Sequence, residues 1–231
     1  MIEALGPAEW EAVRLSLKVA LWATAVALPP AIWIAHLLAR GEFWGRGLLN
    51  AVVHMPLVLP PVVTGYLLLI AFGRQAPLGR FLEEVFGLTL AFRWTGAVLA
   101  AAIMAFPLMV RAIRLGVEAV DPGLEDAAAT LGASRPRIFA TVTLPLIAPA
   151  IVAGAVLGFA KALGEFGATI TFVAAIPGET RTVPSAIYNL LQVPGQTPAV
   201  TGLVVISIAL AVGALAVSEI AARRIQKRRA A

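Results

Sequence analysis

The chain has 231 residues, of which 60% are hydrophobic and 13% are charged, and its mean hydropathy is +0.89. A water-soluble domain is about a quarter charged, because it must keep a polar surface, so this composition indicates that lipid surrounds much of the chain. The formal net charge of +5 does not indicate nucleic acid, since the basic residues cluster beside apolar blocks, and the lack of cysteine excludes disulfides and thiolate chemistry.

Five apolar stretches are long enough to cross a bilayer as helices, which takes about 20 residues. We predict these spans at residues 18–39, 48–72, 94–115, 138–160 and 199–222. A further apolar run at 166–176 is too short to cross alone, and we expect it either to extend the fourth helix or to re-enter beside a pathway. The predicted fold is an all-α polytopic membrane protein in which residues 1–231 form one domain.

Basic residues flanking the spans predict the orientation, because they are retained on the cytoplasmic side. One group follows the first span, surrounds the connection between the third and fourth spans, and forms the C-terminal tail: Arg40, Arg46, Arg111, Arg114, Arg135, Arg137, Arg223, Arg224, Lys227, Arg228 and Arg229. The other flanks hold fewer basic residues, partly balanced by acidic ones: Arg74, Arg80, Arg93 and Arg181, with Glu83, Glu84 and Glu179. With five spans, we expect a periplasmic N-terminus and a cytoplasmic C-terminus.

The connection at about 120–136, between the third and fourth spans, predicts a short capped helix. Asp121 can accept hydrogen bonds from the first free amides, Pro122 suits the first helical position, and Gly132 suits a left-handed stop. The residues Leu124, Ala127, Ala128 and Leu131 fall on one face at helical spacing. Periodicity alone favours an amphipathic helix lying on the membrane surface.

The residue pattern in this connection has a more specific interpretation. Asp126-Ala127-Ala128, three residues, Gly132, nine residues and then Val142-Thr143-Leu144-Pro145 resembles the EAA loop of ABC importer permeases. The family pattern has Glu where this chain has Asp126, and Ile where it has Val142. The resemblance implies a type I ABC importer transmembrane domain whose loop docks into a separate ATPase. It implies ATPase-coupling roles for Glu125, Asp126, Ala127, Ala128 and Gly132, and leaves open which carboxylate makes the acidic contact.

The sequence has no Gly-x-x-x-x-Gly-Lys-Ser/Thr phosphate loop, so we expect no ATPase activity in this chain. ATP and magnesium would be held by the partner ATPase, and we expect no cofactor, catalytic residue or metal site here. The chain would therefore be a transport subunit rather than an enzyme.

Three further strings resemble molybdate permease subunits in particular, at 56–66, 164–172 and 176–182. This resemblance implies import of molybdate from periplasm to cytoplasm across a bacterial inner membrane. It also implies the assembly: a homodimer of this subunit, two ATP-binding cassette subunits and a periplasmic molybdate-binding protein. Permeases for tungstate, sulfate or thiosulfate remain alternatives.

Four residues are candidates for the pore region: Thr64, Lys161, Glu165 and Thr169. Lys161 and Glu165 lie inside an apolar block, four positions apart and so on one helical face. Ionisable groups at membrane depth usually face a cavity or each other. Lys161 either offsets the charge of a passing anion, with Thr169 one turn further on, or forms a structural pair with Glu165. We favour the structural pair, because Glu165 would repel an anion.

Two other classes of membrane protein compete with this interpretation. An ion-coupled secondary transporter would usually show an internal repeat and coupling-ion sites, and the sequence shows no repeat. An intramembrane enzyme would need a nucleophile with its base, a His-Glu-x-x-His site or paired aspartates, and the sequence has none of these.

Overall fold

The computed structural model describes the backbone of residues 5–230, and the side chains within that range except 215, 218, 219 and 221–230. Within the described residues the fold is helical and has no strand. The helices are α1 (Pro7–Arg40), α2 (Arg46–Val58), α3 (Pro61–Phe72), α4 (Pro77–Phe86), α5 (Trp94–Glu118), α6 (Pro122–Thr130), α7 (Arg135–Ile138), α8 (Leu144–Leu163), α9 (Gly167–Val173), α10 (Val183–Leu190) and α11 (Thr197–Ala230). A π-helical turn at Phe139–Thr143 joins α7 to α8.

Four continuous helical stretches in the described residues are long and apolar enough to cross a membrane. They are Pro7–Arg40, Trp94–Glu118, Arg135–Leu163 and Thr197–Ala214. They coincide with the first, third, fourth and fifth predicted spans, although α1 begins at Pro7, well before residue 18. The all-α polytopic prediction is confirmed.

The second predicted span, 48–72, is wrong as a single helix. It consists of α2 and α3, whose axes differ by 114° and which together could form a fifth, broken span. Leu59 ends α2 in extended backbone, with φ −70° and ψ 141°, because the residue before a proline is pushed out of the helical region. Pro60 and Pro61 follow, and neither has an amide hydrogen to continue the ladder of α2.

Small side chains bring α1 and α5 together. A stripe of buried alanines on α1 recurs every three or four residues: Ala20, Ala23, Ala27, Ala31 and Ala35. On α5 the buried small residues are Ala97, Ala100, Ala101 and Ala105. In lipid, such stripes allow backbones to approach closely, so dispersion contacts hold the pair. This pair forms the centre of the bundle.

Two glycines on α8 serve the same purpose against α5. A Cβ built at Gly158 would lie 2.6 Å from the Sδ atom of Met109, and one at Gly154 would lie 3.0 Å from Cγ1 of Ile113. Neither position leaves ordinary room for a side chain, so α8 packs directly on α5.

The short apolar run at 166–176 forms α9 and does not extend α8. Residues 164–166 break the helix, and α9 packs beside α3 and α5. A Cβ at Gly65 on α3 would lie 2.5 Å from the carbonyl oxygen of Ala168, so these two helices are in backbone contact. Of the two expectations for this run, continuation of the fourth helix is wrong.

Polar contacts define two opposite ends of the bundle. At one end, Arg40 donates from Nη2 to the carbonyl of Val120 at 2.7 Å, and Arg114 donates to the side-chain oxygen of Asn50 at 3.1 Å. At the other end, Arg93 and Glu179 form an ion pair at 3.6 Å, and Lys18 Nζ lies 3.4 Å from the centre of the Trp94 ring. The side chains of the basic C-terminal group, 223–229, lie outside the described residues.

Candidate functional site

The helix α6 at the Arg40 end of the bundle has the predicted caps. Asp121 Oδ1 accepts a hydrogen bond from the amide of Gly123 at 2.9 Å, and Pro122 is the first helical residue. At the other terminus the amide of Gly132 donates to Ala129 at 2.9 Å, and the amide of Ala133 donates to Ala128 at 3.1 Å. This is the Schellman arrangement, which requires left-handed backbone at its glycine. Gly132 has φ +82°, so the prediction for it is confirmed.

The surface of α6 is exposed along its whole length. None of its residues is buried, Leu124 is 49% exposed, and Leu131 directly after the helix is 89% exposed. Asp126 and Ala127 are also exposed, and a Cβ at Gly132 would meet no atom within 4 Å. The site therefore has an apolar and acidic outer face that the rest of the described chain does not cover.

The two adjacent carboxylates of α6 have different surroundings. Glu125 Oε2 forms an ion pair with Arg40 Nε at 3.1 Å, and its Oε1 accepts a hydrogen bond from the Thr143 hydroxyl at 2.6 Å. Its side chain is only 18% exposed. Glu125 thus connects α6 to the end of α1 and to the π-helical turn, whereas Asp126 is exposed and forms no ion pair among the described residues.

A cavity of about 510 Å³ lies behind α6, between it, the end of α1, the short helix α7 and the π-helical turn. Its lining includes His36, Arg40, Asp126, Arg135 and Phe139. The His36 ring meets the Phe139 ring edge-on at 4.8 Å between centroids. Because this space separates α6 from the bundle, few side chains other than Glu125 fix its position.

The π-helical turn is a feature that the sequence analysis missed. It occupies Phe139–Thr143, directly before Leu144 and Pro145. Pro145 has no amide hydrogen that could donate to the carbonyl four residues earlier. In a π-helical turn each amide donates to the carbonyl five residues earlier instead, so the hydrogen-bond pattern shifts just before this proline. The proline at position 145 is the sequence feature that could have indicated an irregular helical turn here. The ion pair of Arg40 was also missed, because no local pattern joins residues so far apart in sequence.

At the end of the bundle opposite α6, Lys161 and Glu165 form an ion pair with each other. Lys161 Nζ lies 2.6 Å from Glu165 Oε2, and Glu165 Oε1 accepts the amide of Ala168 at 3.0 Å. The Glu165 side chain is 1% exposed and that of Lys161 is 30% exposed. Both carboxylate oxygens are therefore occupied by contacts with residues on the two sides of the break between α8 and α9.

The two threonine candidates lie at the α3–α9 contact. The Thr169 hydroxyl donates to the carbonyl of Phe166 at 2.9 Å and is buried. Thr64 is also buried, and its Oγ1 has no hydrogen-bond partner among the described residues. Of the four pore candidates, only Lys161 is partly exposed.

Residues 27–229 match the family described as binding-protein-dependent transport system inner membrane component. The chain belongs to this family. It is therefore an inner-membrane permease subunit of a transport system, with several spans.

Individual relatives extend the match. The molybdenum transport system permease protein ModB of Escherichia coli strain K12 is 60% identical over 215 residues, which cover 93% of this chain and 94% of the relative. The ModB protein of Haemophilus influenzae is 53% identical over 220 residues, covering 95% and 96%. These identities run nearly from end to end.

Among solved structures, a bacterial alginate ABC transporter in complex with a pentasaccharide-bound periplasmic protein aligns with a TM-score of 0.73. The alignment covers 94% of this chain and 79% of the other at 17% identity, so it bears on the fold alone. The fold is that of a type I ABC importer transmembrane domain.

Proposed function

We propose that this chain is the membrane pathway of an ATP-driven importer that moves molybdate from the periplasm to the cytoplasm. The identity of 60% to the Escherichia coli molybdenum permease, over 93% of this chain, carries the choice of cargo. Three strings resemble molybdate permeases, at 56–66, 164–172 and 176–182. They fall on the α2–α3 break, on the α8–α9 break and on the segment after α9. The strings that resemble molybdate permeases therefore include the points at which the helices are interrupted.

The outer face of α6 is the surface we assign to the ATPase. Leu124 and Leu131 lie on this face and no described residue covers them, while Asp126 is exposed on another side of the same helix. The space around Gly132 allows another backbone to approach. Motion of the ATPase would pass inward through Glu125 to α1 by way of Arg40, and to α8 by way of Thr143. Ala127 and Ala128 add little bulk, so they permit close docking.

The orientation follows from the positive-inside rule. Arg40, Arg46 and Arg114 make their contacts at the α6 end, so we place this end in the cytoplasm. The N-terminus is then periplasmic and the C-terminus cytoplasmic. The Arg93–Glu179 end faces the periplasm.

We infer an assembly of two copies of this chain with two ATP-binding cassette subunits and a periplasmic molybdate-binding protein. Membership of a binding-protein-dependent family supports the last partner, and the lack of a phosphate loop in this sequence supports a separate ATPase. ATP and magnesium would be bound by that ATPase alone.

Two of the four pore candidates fit a structural role better than an anion site. Glu165 is held by Lys161 and by the amide of Ala168, and the Thr169 hydroxyl donates to a carbonyl, so neither favours a dianion. Thr64, whose hydroxyl has no partner among the described residues, and the partly exposed Lys161 keep donors for an anion. Weak binding in the pathway suits a carrier that must release its cargo. Selectivity would then rest mainly with the binding protein.

Complementation in cells tests the cargo. A bacterial strain that lacks its own molybdate permease should regain activity of its molybdenum enzymes, in medium low in molybdate, when it expresses this chain with its ATPase and binding protein. A matched strain lacking its sulfate permease should not regain growth on sulfate. Rescue of the sulfate strain alone would favour the sulfate alternative.

A further inference from the structure

The helix α4 connects α3 to α5 at the end of the bundle opposite α6, and one of its sides packs against the protein. Gly79 is buried against the carbonyl of Gly73, where a side chain has no room. Leu82, three residues on, packs on the hydrophobic core. These contacts fix which side of α4 faces outward.

The outward side of α4 carries a stripe of large apolar side chains. Leu78 is 50% exposed, Phe81 is 54% exposed and Val85 is 58% exposed. Because successive helical residues are about 100° apart, these three lie within about 60° of one another. They border the core-facing side, so the apolar surface is continuous around that part of the helix.

The remaining side of α4 is polar. Arg80, Glu83 and Glu84 are exposed and lie on the arc away from the apolar stripe. The helix is therefore divided lengthwise into an apolar and a charged half. This division is typical of helices that lie in the plane of a membrane surface.

The position of α4 places it at such a surface. α3 ends at Phe72, shortly before α4, and the continuous span α5 begins at Trp94, shortly after it. Polar contacts mark the level at which α5 begins: Arg93 pairs with Glu179, and Lys18 lies over the Trp94 ring. The charged half of α4 can therefore face the water while its apolar half stays next to the bilayer.

We propose that α4 is an interfacial anchor whose residues Leu78, Phe81 and Val85 enter the boundary between headgroups and acyl chains, in the leaflet opposite α6. Arg80, Glu83 and Glu84 face the water above it. Lipid is the occupant because α4 follows the broken span directly in the chain, and α3 of that span also exposes large apolar side chains, Leu67 at 49% and Ile70 at 55%. The anchor fixes the depth of α3, and hence of the α3–α9 contact.

Depth measurement with spin labels tests this anchor. The sequence contains no cysteine, so a single introduced cysteine is the only labelling site in each copy of this chain, and the ATPase and the binding protein are used in cysteine-free form. The variants are Leu78→Cys, Phe81→Cys and Val85→Cys on the apolar stripe, with Arg80→Cys and Glu84→Cys as matched controls. Each is labelled in the full transporter complex in phospholipid vesicles, and its collisions with oxygen and with a water-soluble nickel chelate are compared by electron paramagnetic resonance.

The anchor predicts that all three stripe labels collide severalfold more with oxygen than with the chelate, relative to the two controls. Stripe labels that collide freely with the nickel chelate would contradict the anchor, because the apolar side of α4 would then be in water. Labels shielded from both reagents would also contradict it, and a short label–label distance at Phe81→Cys would then identify a second copy as the cover. Since these readings require no transport, they are independent of the proposed cargo.

Discussion

Glu125 and Asp126 are adjacent carboxylates whose surroundings assign them different tasks. The sequence left both open as the acidic contact to an ATPase. In the structure Glu125 is held by Arg40 and Thr143, so it is committed to contacts within the chain. Asp126 is exposed and forms no ion pair among the described residues, so it is the carboxylate available to a partner.

We expect Glu125→Gln and Asp126→Lys to fail in different ways. The first removes the charge opposite a partly buried guanidinium, so uptake should fall severalfold relative to ATP hydrolysis while the ATPase still co-purifies. The second should weaken co-purification itself. The double variant Arg40→Glu with Glu125→Arg exchanges the two charges. It should keep part of the coupling between ATP hydrolysis and uptake that Glu125→Gln loses. Equal loss of co-purification in both single variants would contradict the division of roles.

Gly132 provides a matched pair of substitutions at the end of α6. A β-branched residue in left-handed backbone costs about 1–2 kcal/mol, whereas asparagine tolerates that region. No described atom lies within 4 Å of the added Cβ, so neither variant clashes with the part of the chain that the structure describes. Gly132→Val should insert normally and lose ATP-dependent uptake, and Gly132→Asn should retain most of it. Full uptake by Gly132→Val would refute the assignment of α6 as the coupling element.

At the scale of elements, hydropathy was sufficient to predict α1, α5, α8 and α11, because a helix that crosses lipid must satisfy its own backbone. The prolines at 60 and 61 were visible in the sequence, but the 114° bend that follows them was not. Its direction depends on the contact of α3 with α9, which is made between residues about a hundred positions apart. The π-helical turn and the Glu125–Arg40 pair depend on tertiary contacts in the same way.

The α3–α9 contact makes a prediction that opposes helix propensity. Replacing a helical glycine by alanine normally favours the helix by about 1 kcal/mol. At Gly65 the new Cβ would lie 2.5 Å from the backbone oxygen of Ala168, and overpacking of this kind costs about 1–3 kcal/mol. Gly65→Ala should therefore lower the melting temperature of the purified protein in detergent by several degrees.

Gly213→Ala on α11 is the control, because its Cβ would meet no described atom within 4 Å. It should leave the melting temperature unchanged or raise it slightly. If both variants behaved alike, the close approach of α3 to α9 would be refuted.

At the scale of the whole molecule, the two ends of the helical bundle differ in their charged residues. The α6 end holds the basic residues that follow the spans, and the opposite end holds balanced pairs such as Arg93 and Glu179. A reporter fused after Ala231 should therefore be cytoplasmic, and one fused before Met1 should be periplasmic. Both reporters on the same side of the membrane would show that the broken pair α2–α3 does not cross.

The most direct test of the whole account is oxyanion uptake by vesicles that contain this chain, its ATPase and its binding protein. We predict that labelled molybdate accumulates when ATP and magnesium are supplied to the ATPase side. Omitting the binding protein, replacing ATP by ADP, or using Gly132→Val should abolish uptake, and the purified chain alone should neither bind nor hydrolyse ATP. Accumulation driven by an ion gradient without ATP would contradict the account.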